Sequence, residues 1–394
     1  MATASVWQRP PDAHADVAVV GGGVIGAATA FWLGRLAPDL QVVLLEARRL
    51  AYGASGRNAG FLLLGTASDY ASAVDAHGRD HARRIWRFTS ESLRHVVEDV
   101  DDGTLGLERR GSVIAAGSES EADRLRRSRT LLAEDGVESR WLSADGAERE
   151  AGVRAMHGAL VVPEGGAVDP LRLVRRLAAS SGADVWEGAA VSGLEAEGGR
   201  VRLDLGPGTL WADRVVLAVG PRLPELVPSL RAAVRPVRAQ MLATAPMPRR
   251  LLRPVYSHEG YFYLRQSSDG RVLLGGARHL HRDAEVGHDD AVTDALQADL
   301  ERYLHRHLEG TEALAVERRW SGTMGFSDDG LPRLGAVPGL GGTLYATGFT
   351  GHGMGYGVRF GRLVANRLLE RPDEALDLFR DAPRPNLSAA RDVL

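Results

Sequence analysis

The N-terminal part of the chain opens with two short apolar runs separated by an amphipathic stretch. The runs are Val17 to Val20 and Gln41 to Glu46. Continuous runs of this length are typical of strands that are buried on both faces of a parallel sheet. Between them, GGGVIGAATAFWLGRL has apolar residues at helical spacing and no proline, which predicts a helix. Together these segments predict a right-handed βαβ unit.

Longer, charged and amphipathic stretches follow between about residues 80 and 150. Two of them, 81–100 and 118–136, predict exposed helices around a short strand near GSVIAAG. Farther on, Asp169 precedes Pro170 at the start of another amphipathic stretch. Proline is favoured at the first position of a helix and aspartate as its N-cap, so a helix is predicted to begin there.

The rest of the chain alternates between strand and helix patterns. Strands are predicted around Val191 and Val201, and a buried strand RVVLAVG is predicted to end at Gly220. The segments 234–246 and 260–279 alternate like antiparallel strands, and an SSDG turn makes the second a hairpin. The remaining predicted elements are a helix over 289–308, a strand TLYAT, a loop GFTGHGMGYG and a helix VRFGRLVANRLLE.

Length and composition describe an ordinary globular protein. At 394 residues the chain is longer than a single core supports, so two domains are expected. The net charge of −3 gives no indication of nucleic acid or anionic lipid as a partner. The first sixteen residues lack the apolar segment of a signal peptide, and no apolar run is long enough to span a bilayer. We therefore expect a cytoplasmic protein.

Two residue types are missing, and their absence excludes several chemistries. The chain has no cysteine, which excludes disulfides, cysteine nucleophiles, thiolate metal sites and thioether-linked cofactors. All 48 basic residues are arginine. Without lysine, a Schiff base to pyridoxal phosphate is impossible. We assign no residue to a metal.

The strongest chemical motif lies between the first strand and the first helix. Gly21, Gly23 and Gly26 form G-x-G-x-x-G, and Glu46 ends the second strand twenty positions later. Such glycines permit a tight turn and close approach of a pyrophosphate to a helix start, and the acid accepts ribose hydroxyls. The alternative is a structural turn with a solvated glutamate. The predicted nucleotide-binding residues here are Gly21, Gly23, Val24, Ile25, Gly26, Glu46 and Ala47.

Two further segments, ASGRNAGF after the second strand and the C-terminal YATGFTGHGMGYGVRFGRLVANRLL, carry a family resemblance. They resemble the FAD-dependent amine and amino-acid oxidoreductases of the D-amino-acid oxidase superfamily, in particular the glycine oxidase and sarcosine oxidase-like members. The phrases GAVDPLRLVRRLA, ADRVVLAVGP, VRPVRAQML, GRVLLGG and WSGTMGFSDDGLPRLG follow in the family's order. The resemblance therefore covers nearly the whole chain.

The resemblance implies an α/β fold. It consists of a Rossmann-like, glutathione-reductase-type FAD-binding domain built from discontinuous segments, plus an α+β substrate domain with a mixed or antiparallel sheet. We expect the FAD-binding domain to comprise residues 15–80, 155–225 and 318–380. The substrate-binding domain is expected over 81–154 and 226–317, with 381–394 as a C-terminal tail.

The resemblance also implies contacts to FAD from the segment after the second strand. Ser55 is expected to donate to a phosphate, and Arg57 to neutralise it or to steady the flavin. Asn58, Ala59 and Gly60 are expected to bring backbone amides to the ring. An ordinary salt bridge is the alternative for Arg57, and a turn residue is the alternative for Asn58.

The C-terminal glycines imply a second helix start directed at the flavin. Its dipole would stabilise the anion formed on reduction. His352 is expected either to bond the pyrimidine carbonyl or to anchor the loop. The expected contacts of this loop are Gly348, Thr350, Gly351, His352, Gly353 and Met354, and those of the adenosine half are Val191, Ala218 and Gly220. No cysteine is present, and no histidine lies between His14 and His77, the region in which the histidine-linked relatives carry theirs. The resemblance therefore implies non-covalent FAD.

By resemblance, the reaction passes a hydride from a carbon that bears nitrogen to flavin N5 and leaves an imine that hydrolyses. Tyr261, Tyr263 and Arg265 are predicted to share one strand face, with Tyr261 facing the substrate. A packed sheet pair is the alternative for the tyrosines. We expect Tyr261, His352 and Arg57 to be catalytic.

The chain departs from the family at two substrate anchors. Met324 stands where glycine and D-amino-acid oxidases have an arginine, and Gly355 where sarcosine oxidases have a lysine. Either the substrate is an amine or polyamine without a nearby carboxylate, or Arg278 or Arg265 binds the carboxylate. Both arginines have surface ion pairs as the alternative. Oxygen or another acceptor would reoxidise the flavin. Two other hypotheses stay open: a non-enzymatic flavin-fold assembly factor and an NAD(P)-dependent dehydrogenase.

Overall fold

The computed structural model describes residues 12–206 and 208–379; the predicted tail, 381–394, lies outside these ranges. The strands within them are β1 (Asp12–Val20), β2 (Val42–Glu46), β3 (Phe61–Leu62), β4 (Ser112–Ala115), β5 (Arg140–Leu142), β6 (Ala159–Val162), β7 (Gly166–Ala167), β8 (Asp184–Glu187), β9 (Gly193–Glu197), β10 (Arg200–Asp204), β11 (Thr209–Leu217), β12 (Arg235–Pro246), β13 (Val255–Ser257), β14 (Phe262–Gln266), β15 (Arg271–Gly276), β16 (Val316–Phe326), β17 (Arg333–Ala336) and β18 (Thr343–Thr347). The helices are α1 (Val24–Leu36), α2 (Tyr70–His77), α3 (Arg79–His95), α4 (Glu119–Glu134), α5 (Ala144–Gly146), α6 (Pro170–Ala179), α7 (Leu223–Leu226), α8 (Asp294–His307) and α9 (Gly353–Leu368).

The first sheet is built around the predicted βαβ unit. Its order is β17-β18-β11-β1-β2-β8, and β9 and β10 extend it from β11. Strand β1 pairs in parallel with both β2 and β11, and β18 is parallel to β11. The Rossmann-like prediction is confirmed. Strand β8 was not predicted, because its four residues, two exposed and two half-buried, show no alternation of apolar and polar positions. Val191 lies in the loop after β8, and β11 ends at Leu217 rather than at Gly220.

Helices α1 and α9 pack against each other almost backbone to backbone. A Cβ atom on Gly357 would lie 2.7 Å from Cγ2 of Val24, and one on Gly361 would lie 2.5 Å from Cβ of Ala28. Residues 348–357 were predicted to form a loop, but the second half of this segment is helical, because α9 begins at Gly353. Glycine disfavours helix in isolation, but here the contact with α1 depends on it.

The second sheet is mixed, with the order β16-β12-β15-β14-β13-β4-β6-β5. The predicted hairpin is confirmed as β14 and β15, which pair antiparallel across the turn. Helix α8 packs leucines on this sheet and begins at Asp294, five residues later than predicted. The N-cap Asp169 is confirmed, since its carboxylate accepts from the backbone N–H groups of Leu171 and Arg172.

The two sheets divide the chain differently from the predicted domain boundaries. Strand β6 was assigned to the FAD-binding domain but pairs in the second sheet, and β16 begins before the predicted boundary at 318 and also pairs there. Helix α3 was assigned to the substrate domain, yet its Ile85, Phe88 and Leu93 belong to the core around α1 and α9. We propose that the domain boundaries follow the sheets, with β6 and β16 in the substrate-binding domain and α3 in the FAD-binding domain.

Candidate cofactor and substrate site

The turn between β1 and α1 is so tight that only glycine fits at two positions. Gly21 has φ +110°, and a Cβ atom on it would lie 2.4 Å from the carbonyl oxygen of Ala218. A Cβ atom on Gly26 would lie 1.9 Å from the carbonyl oxygen of Gly21. The start of α1 consequently presents backbone amides rather than side chains, as an anion-binding helix start requires.

Ser55 lies directly over this helix start. Its Oγ atom accepts a hydrogen bond of 2.9 Å from the backbone N–H of Val24, the first residue of α1. A Cβ atom on Gly23 would lie 2.9 Å from the same hydroxyl. The hydroxyl therefore stands at the positive end of the α1 dipole, where a phosphate contact was predicted.

Glu46 ends β2 with its carboxylate fixed by two backbone amides. Oε2 accepts from the N–H of Gly22 at 2.8 Å, and Oε1 accepts from that of Arg48 at 2.9 Å. The loop that contains Val191 is tied to the same position, because the N–H of Ala189 donates to the carbonyl oxygen of Glu46 at 2.8 Å. This arrangement matches a fixed acceptor for sugar hydroxyls better than a freely solvated strand end.

The carboxyl ends of the central strands are joined beside this acid. The N–H of Ala218 donates to the carbonyl of Val20 at 2.8 Å, and the hydroxyl of Thr347 donates to the carbonyl of Gly220 at 2.9 Å. Gly220 lies in a 3₁₀ turn with φ +57°. In open α/β sheets this edge is where ligands bind.

The segment after β2 folds into a compact turn held by Asn58. Its Nδ2 donates to the carbonyls of Ala54 and Ser55, both at 2.9 Å, and its Oδ1 accepts from the N–H of Gly60 at 2.6 Å. Gly60 has φ +72°, and a Cβ atom there would lie 2.0 Å from the carbonyl oxygen of Val168. These bonds make Asn58 the turn residue that was given as its alternative role, although its own φ is not left-handed; its predicted contact to the flavin stays a prediction.

Arg57 forms a salt bridge, which was the alternative to a cofactor contact. Its Nη1 lies 2.6 Å from Oδ1 of Asp290 and donates to the carbonyl of Ser321 at 2.9 Å, while Nε donates to the carbonyl of Tyr52 at 3.0 Å. The bond to Arg57 lowers the pKa of the Asp290 carboxyl. Arg57 does not line the cavity described below. The geometry gives no support to its predicted catalytic role.

His352, just before α9, is fully buried and anchors the C-terminal loop. Its Nε2 lies 3.1 Å from the carbonyl oxygen of Leu63. Burial lowers its pKa to about 4, so the ring is neutral at pH 7. Because a carbonyl oxygen only accepts, Nε2 carries the proton and Nδ1 is an acceptor.

The loop before α9 is held in left-handed conformations. Gly348 and Gly351 have φ +73° and +77°, and Thr350 has φ +46° although it is not glycine. The N–H of Thr350 donates to the carbonyl of Gly325 at 2.9 Å, which fixes this strained residue against β16.

A cavity of about 140 Å³ lies between this loop, the segment after β2 and the second sheet. Most of the predicted flavin and substrate residues meet in its wall. The predicted residues that line it are Asn58, Ala59, Tyr261, Tyr263, Arg278, Met324, Thr350, Gly351, His352 and Met354.

The two predicted tyrosines both reach the cavity, but from different positions. Tyr263 lies on β14, and burial raises the pKa of its phenol to about 12. Tyr261 precedes β14 rather than belonging to it, and its hydroxyl accepts from Nη2 of Arg282 at 2.8 Å. Both tyrosines line the cavity wall. Arg265, which was predicted to share a strand face with them, does not line the cavity.

Of the two arginines predicted as carboxylate anchors, only Arg278 lines the cavity. Its guanidinium carbon lies 5.1 Å from the ring centre of Phe326, and burial, together with Arg282 and Arg235, lowers its pKa. Arg265 is half-buried elsewhere, near Glu108, and partial burial lowers its pKa as well.

Sequence reasoning missed a strained turn in the cavity wall. His258, Glu259 and Gly260 have φ of +51°, +61° and +84°, and the last two line the cavity. The buried carboxylate of Glu121 holds this turn by accepting from the N–H of Glu259 at 2.6 Å and from that of Gly117 at 2.7 Å. Left-handed residues other than glycine leave no mark in the sequence pattern. Tyr256, another wall residue, lies on a strand of three residues, too short to predict.

Residues 12–206 and 208–379 contain neither a membrane-spanning helix nor a cluster of metal ligands. Within these ranges, no helix combines the length and apolar character needed to cross a bilayer. The same ranges contain no group of three or more histidine, aspartate or glutamate residues that could hold a metal ion.

Comparison with known proteins gives a consistent result. The profile of the family described as DAO, FAD dependent oxidoreductase, matches residues 16–367. The chain is 32% identical over 377 residues to glycine oxidase of Geobacillus kaustophilus (strain HTA426), covering 92% of this chain and 95% of that protein. It is 27% identical over 382 residues to gamma-glutamylputrescine oxidoreductase of Escherichia coli (strain K12), covering 93% of this chain and 86% of that protein.

A solved structure agrees with the sequence comparison. The crystal structure of glycine oxidase from Geobacillus kaustophilus superposes with a TM-score of 0.79 at 26% identity, covering 95% of this chain and all of that one. The predicted fold class and the predicted superfamily are confirmed.

Proposed function

This chain belongs to the family of FAD dependent oxidoreductases, and from that premise we propose that it oxidises the carbon–nitrogen bond of a small amino acid. FAD is the cofactor of the family, and the matched relatives include a glycine oxidase and a gamma-glutamylputrescine oxidoreductase. An NAD(P)-dependent dehydrogenase, which the glycine motif alone allowed, leaves the cavity and the C-terminal loop without a role.

The residues present fit FAD. Val24 begins α1 and touches Gly357 near the start of α9, so the positive ends of two helices lie side by side. Glycine is required at the turn before α1, which leaves amides for a pyrophosphate. The dinucleotide half would be held by Gly21, Gly23, Val24, Ile25, Gly26, Glu46, Ala47, Ser55, Val191, Ala218 and Gly220. The flavin half would be held by Asn58, Ala59, Gly60, Gly348, Thr350, Gly351, His352, Gly353 and Met354.

When bound, FAD supplies the acceptor for a hydride from the carbon that bears the nitrogen. The chain's part is to bind and orient the substrate and to exclude water. We infer that the cofactor is held without a covalent bond, since the chain has no cysteine and Nε2 of His352 is bonded to Leu63.

The observation that carries the substrate class is the position of Arg278. Arg278 lines the same cavity as Tyr261, Tyr263 and Met324, and its guanidinium lies over the ring of Phe326, another wall residue. A half-buried guanidinium is a strong partner for a carboxylate, with two parallel donors in a fixed plane. Arg278 thus replaces the anchor that Met324 removes, and an amino acid is favoured over an amine without a carboxylate.

The same charge favours the reactive form of the amine. A cation close to an ammonium group lowers the pKa of that group and promotes loss of its proton. His352 and Tyr263 stay neutral across the physiological range, because burial lowers the pKa of the first to about 4 and raises that of the second to about 12. Neither side chain is therefore a base that takes the amine proton near pH 7.

The test is an anaerobic reduction of the purified flavoprotein. Glycine, sarcosine, both enantiomers of alanine and proline, and amines without a carboxylate are each mixed with the protein, and the flavin absorbance is followed. Bleaching by amino acids more readily than by the amines is expected. Admission of air afterwards separates an oxidase, which recovers its colour and produces hydrogen peroxide, from a dehydrogenase that needs another acceptor.

Failure of every compound in this panel to bleach the bound flavin would contradict the proposal. That result would favour the hypothesis of a non-enzymatic flavin-fold assembly factor.

A further inference from the structure

A cleft of about 320 Å³ lies outside the site described above, at the β5–β6 edge of the second sheet. Its wall combines arginines with a small apolar floor. The floor consists of Val161, Pro163 and Leu252, and the side chain of Leu252 is 45% exposed.

Four guanidinium groups line this cleft, from Arg109, Arg110, Arg140 and Arg253. Glu138 is the one carboxylate among the lining residues, so the wall carries a net charge of +3 from four arginines and one glutamate. Two of the arginines are engaged: Arg140 lies 2.7 Å from Glu150, and Nε of Arg253 donates to the carbonyl of Arg110 at 2.7 Å.

The side chains of Arg109 and Arg110 are exposed and have no ion-pair or hydrogen-bond partner in the part of the chain that the structure describes. Each has five N–H donors in a planar fork, which suits phosphate and carboxylate oxygens. Two adjacent forks of this kind in a concave site favour a ligand with at least two negative charges.

Ser139 supplies an independent observation. Its hydroxyl oxygen is buried in the wall of the cleft and has no hydrogen-bond partner among the described residues. A buried hydroxyl without a partner is costly, and rotation of the Ser139 side chain about χ1 would let the hydroxyl donate to a ligand oxygen in the cleft.

The cleft lies on the reverse of a strand that borders a side chamber of the substrate cavity. Side chains of a strand alternate between its two faces. Val161 of β6 belongs to the cleft, whereas Leu160 and Val162 line a side chamber that shares Tyr256 and His352 with the substrate cavity. The cleft is thus separate from the reaction site but only one strand away from it.

We propose that this cleft binds a small dianion with an apolar part, either an organic phosphate or a dicarboxylate. The arginines neutralise the charge, Ser139 donates to an oxygen, and Val161, Pro163 and Leu252 contact the apolar part. This inference does not depend on the reaction that the flavin performs.

The test is isothermal titration of the FAD-loaded protein with phenyl phosphate and with phthalate, which separate the two sources of dianion. Inorganic phosphate serves as a probe without an apolar part. A submillimolar dissociation constant is expected for one of the two organic dianions, with inorganic phosphate at least tenfold weaker. The affinity should fall at least tenfold in the double variant Arg109→Gln/Arg110→Gln and severalfold in Ser139→Ala.

Two controls keep the test specific. Arg129→Gln removes an exposed arginine of α4 that does not line the cleft, and it should leave the affinity unchanged. Arg278→Gln should also leave it unchanged, since Arg278 lines the substrate cavity and is not among the residues that line the cleft. The absence of binding by both organic dianions, binding that survives the double substitution, or binding that is lost in Arg278→Gln would each overturn the proposal.

Discussion

Replacement of Arg278 by glutamine tests the substrate assignment most sharply. The structure offers a matched control in Arg265, the other arginine that the sequence allowed as an anchor. Burial lowers the pKa of both guanidinium groups, but only Arg278 lines the cavity. The two substitutions remove the same charge from sites that differ in access to substrate.

The expected magnitude follows from the bond that would be lost. A hydrogen bond to a charged group contributes about 1.5 to 3 kcal/mol, and each 1.4 kcal/mol is a factor of about ten in affinity. Because Arg278 is half-buried rather than at the open surface, screening by solvent reduces this value only in part. We therefore expect the dissociation constant of an amino-acid substrate to rise about tenfold to about a hundredfold in Arg278→Gln.

Stopped-flow reduction of the flavin without oxygen provides the assay. The concentration dependence gives the substrate dissociation constant, and the plateau gives the limiting rate of reduction. Arg278→Gln should raise the dissociation constant for amino acids, and it should not raise that for an amine without a carboxylate, because the amine loses only a repulsive charge. Arg265→Gln should have the same dissociation constants as the parent protein for amino acids and for amines. The reasoning would be refuted if the two substitutions raised the substrate dissociation constant equally, or if Arg278→Gln weakened the binding of amino acids and amines to the same extent.

Three further predictions concern the cofactor and the fold. Gly26→Ala should abolish FAD retention and lower the melting temperature, because its Cβ would lie 1.9 Å from a carbonyl oxygen; Gly53→Ala, where nothing lies within 4 Å, should change neither. Glu46→Gln should weaken FAD binding about tenfold in a fluorescence titration, since a charged acceptor becomes neutral; an unchanged affinity would count against a sugar contact. Since burial lowers the pKa of His352 to about 4 from 6.5, the unfolded chain binds the proton more readily, and stability is lost as pH falls through this window. Between pH 6.5 and 4, the free energy of unfolding measured with denaturant should fall by about 3 kcal/mol less in His352→Gln than in the parent protein. Parallel pH profiles of the two proteins would refute this.

The sequence was sufficient where a local pattern determines the structure. The βαβ unit, the Asp169 cap and the hairpin of β14 and β15 each follow from neighbouring residues. The start of α9 did not follow, because its glycines have low helix propensity and the contact of Gly361 with Ala28 comes from a distant helix.

The site shows the same division between local and long-range information. The glycine turn and Glu46 could be predicted because their spacing reflects one continuous motif. The partner of Arg57 is Asp290, 233 positions away, and no pattern in the sequence indicates that pair. The choice between Arg278 and Arg265 likewise depends on how β14 and β15 are placed against the C-terminal loop. The turn held by Glu121 depends on a contact 138 positions along the chain.

The quantity that bears most directly on the whole account is the flavin content of the purified, folded protein. Absorbance spectra before and after denaturation measure how much flavin is bound and whether it separates from the polypeptide. We predict one FAD for each chain, released completely into the supernatant when the protein is denatured. A folded chain that is colourless and takes up no added FAD, or flavin that stays with the precipitated polypeptide, would contradict the account.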